Sequence, residues 1–81
     1  MKLYFMEKYN LSDLSLVAFL EVAGFEIEKL DTTNLNRTLF TFARTPNLEK
    51  AMKDYYNGKA RVEPSQYFFA LKNIKARIYN R

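Results

Sequence analysis

Hydrophobic positions change their period several times along this chain, and each change marks an element. Leu3-Tyr4-Phe5-Met6 is a short β-prone run and predicts a first strand. Asn10 or Ser12 then stands where a helix cap belongs, since a side-chain oxygen there accepts from amides the first turn leaves unpaired. Asp13 adds negative charge at the helix's positive end. The helix is expected to run to about residue 23, with Gly24 placed to end it in the left-handed conformation. Between positions 14 and 23 only Ser15 and Glu21 are polar. A helix apolar on nearly every side is buried on most sides, so it needs cover from a sheet, other helices or a second protomer.

The period then shortens. Phe25-Glu26-Ile27-Glu28-Lys29-Leu30 alternates, a polar stretch from Asp31 to Arg37 follows, and Thr38-Leu39-Phe40-Thr41-Phe42-Ala43-Arg44 alternates again. This predicts a β-hairpin with a longish, somewhat mobile loop, Phe40 and Phe42 sharing one face of the second strand and Leu39, Thr41 and Ala43 the other, one face packed on the core and the other in water. Thr45-Pro46 opens a second helix, a hydroxyl cap followed by proline at the first helical position. Leu48, Ala51, Met52 and Tyr55 give it an apolar stripe, and Asn57-Gly58 ends it. Pro64 opens a last helix reaching about Tyr79, with Tyr67, Leu71, Ile74 and Ile78 as its buried stripe and Ala70 at the edge. The order β-α-β-β-α-α predicts an α+β fold, a small antiparallel sheet of about three strands covered by helices.

Length makes this one domain, residues 1–81. Hydrophobic residues form 48% of the chain, enough for a core without staples, and the absence of cysteine excludes disulfides and thiolate metal sites. No apolar run approaches the ~20 residues of a membrane span. The first residues lack the apolar core of a signal peptide, so a cytoplasmic location is expected.

Charge changes the picture most. Residues 51–81 hold seven Lys/Arg against two acids, whereas residues 1–50 hold six against seven. The basic portion is also rich in rings, with Tyr55, Tyr56, Tyr67, Phe68, Phe69 and Tyr79. On the last helix Phe68, Lys72, Lys75 and Tyr79 fall on one stripe beside the buried one. Lys59 and Arg61 precede it, and Arg77 and Arg81 emerge on the far side of the buried stripe. Cations neutralise phosphates and ring faces stack on unpaired bases. The residues that would form a nucleic-acid surface are therefore Lys59, Arg61, Phe68, Lys72, Lys75, Arg77 and Tyr79, with Tyr56 as a further stacking ring. The competing reading makes Phe68 and Tyr79 a widening of the core, with lysine stems laid over it and their charges in water.

Other constellations have simpler explanations. Asn57-Gly58-Lys59-Ala60-Arg61 has the look of a phosphate loop, but a helix C-cap accounts for its glycine. Glu26, Glu28 and Asp31 suit a Mg²⁺ site less well than a charged strand edge that resists pairing. No histidine and no cysteine is available as acid, base or nucleophile. Ser12, Ser15 and Ser65 sit at helix starts, so no catalytic residue, cofactor or metal is assigned. The apolar first helix is either core or a dimer seam, and the seam would run through Leu16, Phe19 and Leu20.

Asp54-Tyr55-Tyr56-Asn57-Gly58-Lys59-Ala60-Arg61-Val62-Glu63-Pro64, with Tyr67, Ala70-Leu71-Lys72 and Ile78-Tyr79, resembles a family of small domains of unknown function carried by bacteria, phages and other mobile elements. Leu14, Ala18, Leu20 and Gly24-Phe25 match the same pattern more loosely. The resemblance implies a fold and no chemistry, and it favours nucleic-acid association or host-interaction roles. The expectation is a non-enzymatic nucleic-acid-associated protein that grips the phosphate backbone, of single strands or without regard to base. The alternatives are a protein-interaction module, homodimeric and directed at a host or phage protein, and a histidine-free nuclease.

Overall fold

Lys8, Tyr9, Asn10 and Leu11 alternate polar and apolar, and this period of two makes them the first strand, β1 (Lys8–Leu11). The computed structural model of the chain describes residues 7–34 and 36–79. The strand expected at Leu3–Met6 lies outside the described residues. After β1 come α1 (Leu14–Val22), β2 (Lys29–Asn34), β3 (Arg37–Ala43), α2 (Pro46–Tyr56) and α3 (Pro64–Tyr79). Among the described residues this is the β-α-β-β-α-α order of an α+β fold, with one antiparallel sheet in the order β1-β3-β2.

β3 is central because it alone offers two bulky rings to the core while pairing on both edges. Tyr9 lies opposite Phe42, and Leu11 and Leu30 flank Phe40 from either side. Phe40 and Phe42, which the alternation puts on one face, are fully buried, so that face is the core face. The other face carries Lys8, Asn10, Thr41, Lys29 and Asp31, with Thr41 Oγ1 donating to Asn10 Oδ1 at 2.7 Å.

The hairpin differs from expectation. Its first strand is Lys29–Asn34, so most of the polar stretch taken for a loop is strand. Phe25 and Ile27 are half-buried against the core but lie before the strand, and Glu28 N donates to Thr41 O at 2.7 Å where the ladder begins. Alternation there reports burial on one side and not pairing. Asn34 pairs with Arg37, so the chain reverses tightly, and Asn34 Oδ1 accepts from Asn36 N at 2.9 Å. Between Asp31 and Asn34 the register shifts. There Asp31 Oδ1 takes the Thr33 amide at 3.0 Å and the Thr33 hydroxyl at 2.7 Å, which blunts an open sheet edge.

α1 begins at Asp13, not at Asn10 or Ser12. Asp13 Oδ1 accepts from Ser15 N at 3.1 Å and Leu16 N at 3.4 Å. Asn10 is held in the sheet instead. The helix ends as expected at Gly24, whose φ of 102° only glycine adopts freely. Gly24 N donates to Glu21 O and Phe25 N to Leu20 O, both at 3.0 Å, the paired bonds of a Schellman end. Leu16, Val17, Ala18 and Leu20 have no exposed surface, and they share one core with Phe40, Phe42, Leu48 of α2 and Ile74 of α3. Phe19 stacks on Tyr55 of α2, ring centroids 5.8 Å apart.

A polar chain fixes how the helices meet. Tyr55 OH lies 2.7 Å from Ser15 Oγ, which is 2.8 Å from Asp13 Oδ1, and Tyr67 OH donates to Ser15 O at 3.0 Å. The N-terminus of α1 is thereby tied to α2 and α3. Burial raises the Tyr67 pKa, with the neighbouring Tyr55 and Asp13 adding to it.

Candidate functional site

α3 positions the expected site, and its start is set by Glu63-Pro64. Proline suits the first helical position, and Glu63 Oε1 accepts from Gln66 N at 2.8 Å and Ser65 Oγ at 2.6 Å. The Ser65 hydroxyl, with the Gln66 and Ser65 amides, holds the Glu63 carboxyl below its ordinary pKa. One of the two acids in the basic portion is thus spent on a helix end. The other, Asp54, pairs with Lys50 at 3.3 Å. α3 itself contains no acidic residue.

Tyr67, Ala70, Leu71, Ile74 and Ile78 face the core, as their spacing predicts. The adjoining flank is open. Phe68 is 63% and Tyr79 77% exposed, with exposed Lys72 and Lys75 between them. Lys72 Nζ stands 6.0 Å from the centre of the Phe68 ring, within cation–π reach. Neither lysine has an acid within ion-pair distance among the described residues. Phe68, Lys72, Lys75 and Tyr79 therefore form one stripe, two cations with a ring at either end.

The other expected residues do not all join it. Arg77 lies on the opposite flank, its Nη1 3.5 Å from Glu21 Oε2 on α1. Lys59 and Arg61 are exposed on the connector before α3, where Arg61 Nη1 donates to Ala60 O at 3.0 Å. Tyr56 is exposed on α2 and lines a separate groove of about 450 Å³ with Tyr9, Met52 and Lys53.

Two residues escaped the sequence reading. Phe69 is 65% exposed, and its position outside the buried stripe of α3 was the available signal. Arg37 is brought by the tight β2–β3 reversal to a groove of about 330 Å³ that also holds Tyr79. Only the three-dimensional path places a residue 42 positions away beside that ring, so no spacing rule reveals it.

Asn57–Arg61 is a helix end in its geometry. Gly58 has φ 72°, its amide donates to Tyr55 O at 3.2 Å, and Lys59 N donates to Asp54 O at 2.8 Å. These amides are committed to α2 and cannot cradle a phosphate. The acidic trio is dispersed: Glu28 pairs with Lys8 at 2.5 Å and Asp31 bonds Thr33. Among the described residues no group of three His, Cys, Asp or Glu side chains could hold a metal. Arg44 makes a structural hub, bonding Glu7, bonding Glu49 at 2.5 Å, and lying 5.6 Å over the Tyr9 ring. The Arg44 bond, seconded by the Tyr9 hydroxyl, holds Glu49 below its usual carboxylate range.

Leu16, Phe19 and Leu20 are 0%, 7% and 0% exposed within a single chain. Within the chain they share one core with Phe40 and Phe42 of the sheet, Leu48 of α2 and Ile74 of α3.

A family model described as a domain of unknown function, DUF5659, matches residues 6–80. The chain belongs to that family. No curated protein and no solved structure matches it. The match thus spans every described element, and it assigns no chemistry to any of them. No described helix is long and apolar enough to cross a membrane.

Proposed function

We propose that this domain is a non-enzymatic nucleic-acid-associated protein of the kind carried by phages and mobile elements, and that it binds through the outer flank of α3. Lys72 and Lys75 neutralise successive phosphates, and Phe68 and Tyr79 offer ring faces to bases. Lys59 and Arg61 extend the positive field at the helix's other end. The observation that carries this reading is an acid-free helix flank on which two exposed rings bracket two lysines that have no acid partner among the described residues.

Physical reasoning favours a partner for that flank. Large aromatic side chains grouped on a surface mark interaction sites more often than isolated exposed residues do. Phosphate polyanions suit this group because no acid among the described residues pairs with the lysines, and stacking on rings contributes ~1–3 kcal/mol per base. The resemblance to mobile-element domains points the same way.

Titration of the protein into a fluorescein-labelled oligonucleotide at two salt concentrations, with a duplex beside it, tests the proposal. Micromolar or tighter binding that weakens steeply with salt is expected. Absence of binding at low salt to both strands and duplex overturns it.

A further inference from the structure

The groove at the C-terminal end of α3 has a composition that the stripe alone does not supply. Three segments build it: Asn36 of the turn with Arg37 and Thr38 at the start of β3, Ser12 before α1 with Leu14 at its start, and Ile78 and Tyr79 from the last turn of α3. Its volume of about 330 Å³ is in the range of small-ligand sites, which begin near 300 Å³. Arg37 is exposed and has no acid within ion-pair distance among the described residues. Arginine presents a planar fork of donors matched to phosphate oxygens. Tyr79 supplies a ring that is 77% exposed, and Asn36, Thr38 and Ser12 supply short polar groups.

A single nucleotide has the complementary parts: a planar face, a hydrogen-bonding edge and a charged phosphate. A base inside a duplex presents no free face to a ring. We propose that this groove is a nucleotide subsite for single-stranded nucleic acid, in which Tyr79 stacks on one unpaired base and Arg37 holds the adjoining phosphate. The subsite continues the Phe68–Lys72–Lys75–Tyr79 stripe, so a strand running along α3 ends on it. The inference rests on the function proposed above and deepens it, by assigning the preferred substrate as single-stranded and adding Arg37, which lies on the sheet, to a site otherwise made by one helix.

The test is fluorescence anisotropy of a labelled oligothymidine and of a short duplex, at salt from about 50 to 200 mM. The proteins compared are wild type, Arg37→Ala, Tyr79→Ala, Tyr79→Phe and the Lys72→Ala/Lys75→Ala pair. Arg37 and Tyr79 are exposed, so unchanged thermal midpoints are expected for their variants. Wild type should bind the single strand more tightly than the duplex. Tyr79→Ala should weaken single-strand binding roughly 5- to 150-fold, the loss of one stacked base, with duplex binding unchanged. Tyr79→Phe should retain wild-type affinity. Arg37→Ala should reduce the slope of log affinity against log salt by about 0.7, one single-strand phosphate contact.

If Arg37→Ala and Tyr79→Ala both bind the single strand as wild type does while the lysine pair loses binding, the subsite and the stacking role of Tyr79 are wrong, and phosphate binding by Lys72 and Lys75 stands. Equal affinity of wild type for strand and duplex also overturns the subsite. If wild type binds neither, both readings fall.

Discussion

Replacing Phe68 with alanine separates a binding face from a widened core, because the two assign the ring different surroundings. Full burial of a phenylalanine contributes ~1.5–3 kcal/mol. Phe68 keeps 63% of its surface exposed, so its buried remainder accounts for about 0.5–1 kcal/mol. Alanine returns up to about 0.5 kcal/mol through its higher helix propensity. Phe68→Ala should therefore destabilise the fold by less than about 0.5 kcal/mol, as surface changes commonly do. Ile74, one turn and a half further along α3, has no exposed surface. Ile74→Ala removes buried methyl groups and leaves a cavity, which costs ~2–5 kcal/mol. Urea denaturation followed by circular dichroism measures both. With a slope of about 1 kcal/mol per molar for a chain of this size, the Ile74 variant should lose ~2 M or more of midpoint, and the Phe68 variant under ~0.5 M. The Phe68 variant should at the same time bind single strands more weakly, by the ~1–3 kcal/mol of a lost stack. A loss of more than about 2 kcal/mol in stability on Phe68→Ala would place the ring in the core and leave no binding face there.

Three further outcomes follow from the geometry. Ser15→Ala breaks the Tyr55–Ser15–Asp13 chain and should cost about 1 kcal/mol, with Tyr55→Phe adding little on top because the two share one network; additive losses in a double-mutant cycle would show that the network is not coupled. Gly58→Ala forces a side chain into φ 72° and should cost ~1–2 kcal/mol while leaving nucleic-acid affinity unchanged, whereas a loss of affinity at full folding would revive the loop as a phosphate site. Asp31, Glu49 and Glu63 have depressed pKa values, held down chiefly by Thr33, Arg44 and Ser65 respectively. Below their unfolded values the unfolded chain binds more protons than the folded one, so their contribution is present above the ordinary carboxylate range and is lost as pH falls through the folded values. Tyr67, with its pKa raised, has the opposite sign: its contribution is full below the ordinary tyrosine range and is lost as pH rises through the folded value. Urea midpoints across acid and alkaline pH check both limbs, and Glu63→Gln should flatten the acid one.

Much of the fold was legible because helices here carry strong local signals. Thr45-Pro46, Asn57-Gly58 and Pro64 mark helix ends in sequence, and the structure puts α2 between the first two and starts α3 at the third. Thr45 Oγ1 accepts from Leu48 N at 3.1 Å, the bond its identity foretold. Strands were harder. Phe25 and Ile27 alternate with Glu26 and Glu28 because one side of that segment leans on the core, yet the ladder is made by the polar residues that follow. An edge strand needs little apolar surface, and Asp31-Thr32-Thr33 shows it. The all-round apolar α1 admitted both core and dimer readings, since periodicity reports that a helix is covered and not what covers it. For the site, spacing along α3 located Phe68, Lys72, Lys75 and Tyr79 on one stripe. It also put Arg77 on the far side of the buried stripe, where an acid on α1 engages it, although that residue was counted with the nucleic-acid surface. Arg37 depends on a tertiary approach and left no trace in local pattern.

The most direct test of the central claim is a map of backbone amide shifts, recorded by heteronuclear NMR as a short oligothymidine is added to the labelled protein. The account expects the shifts to concentrate at Phe68, Lys72, Lys75 and Tyr79, with Arg37 moving alongside them and the Tyr9–Lys53–Tyr56 groove unmoved. Shifts confined to that groove or to the outer sheet face, or no shifts at low salt, would contradict it.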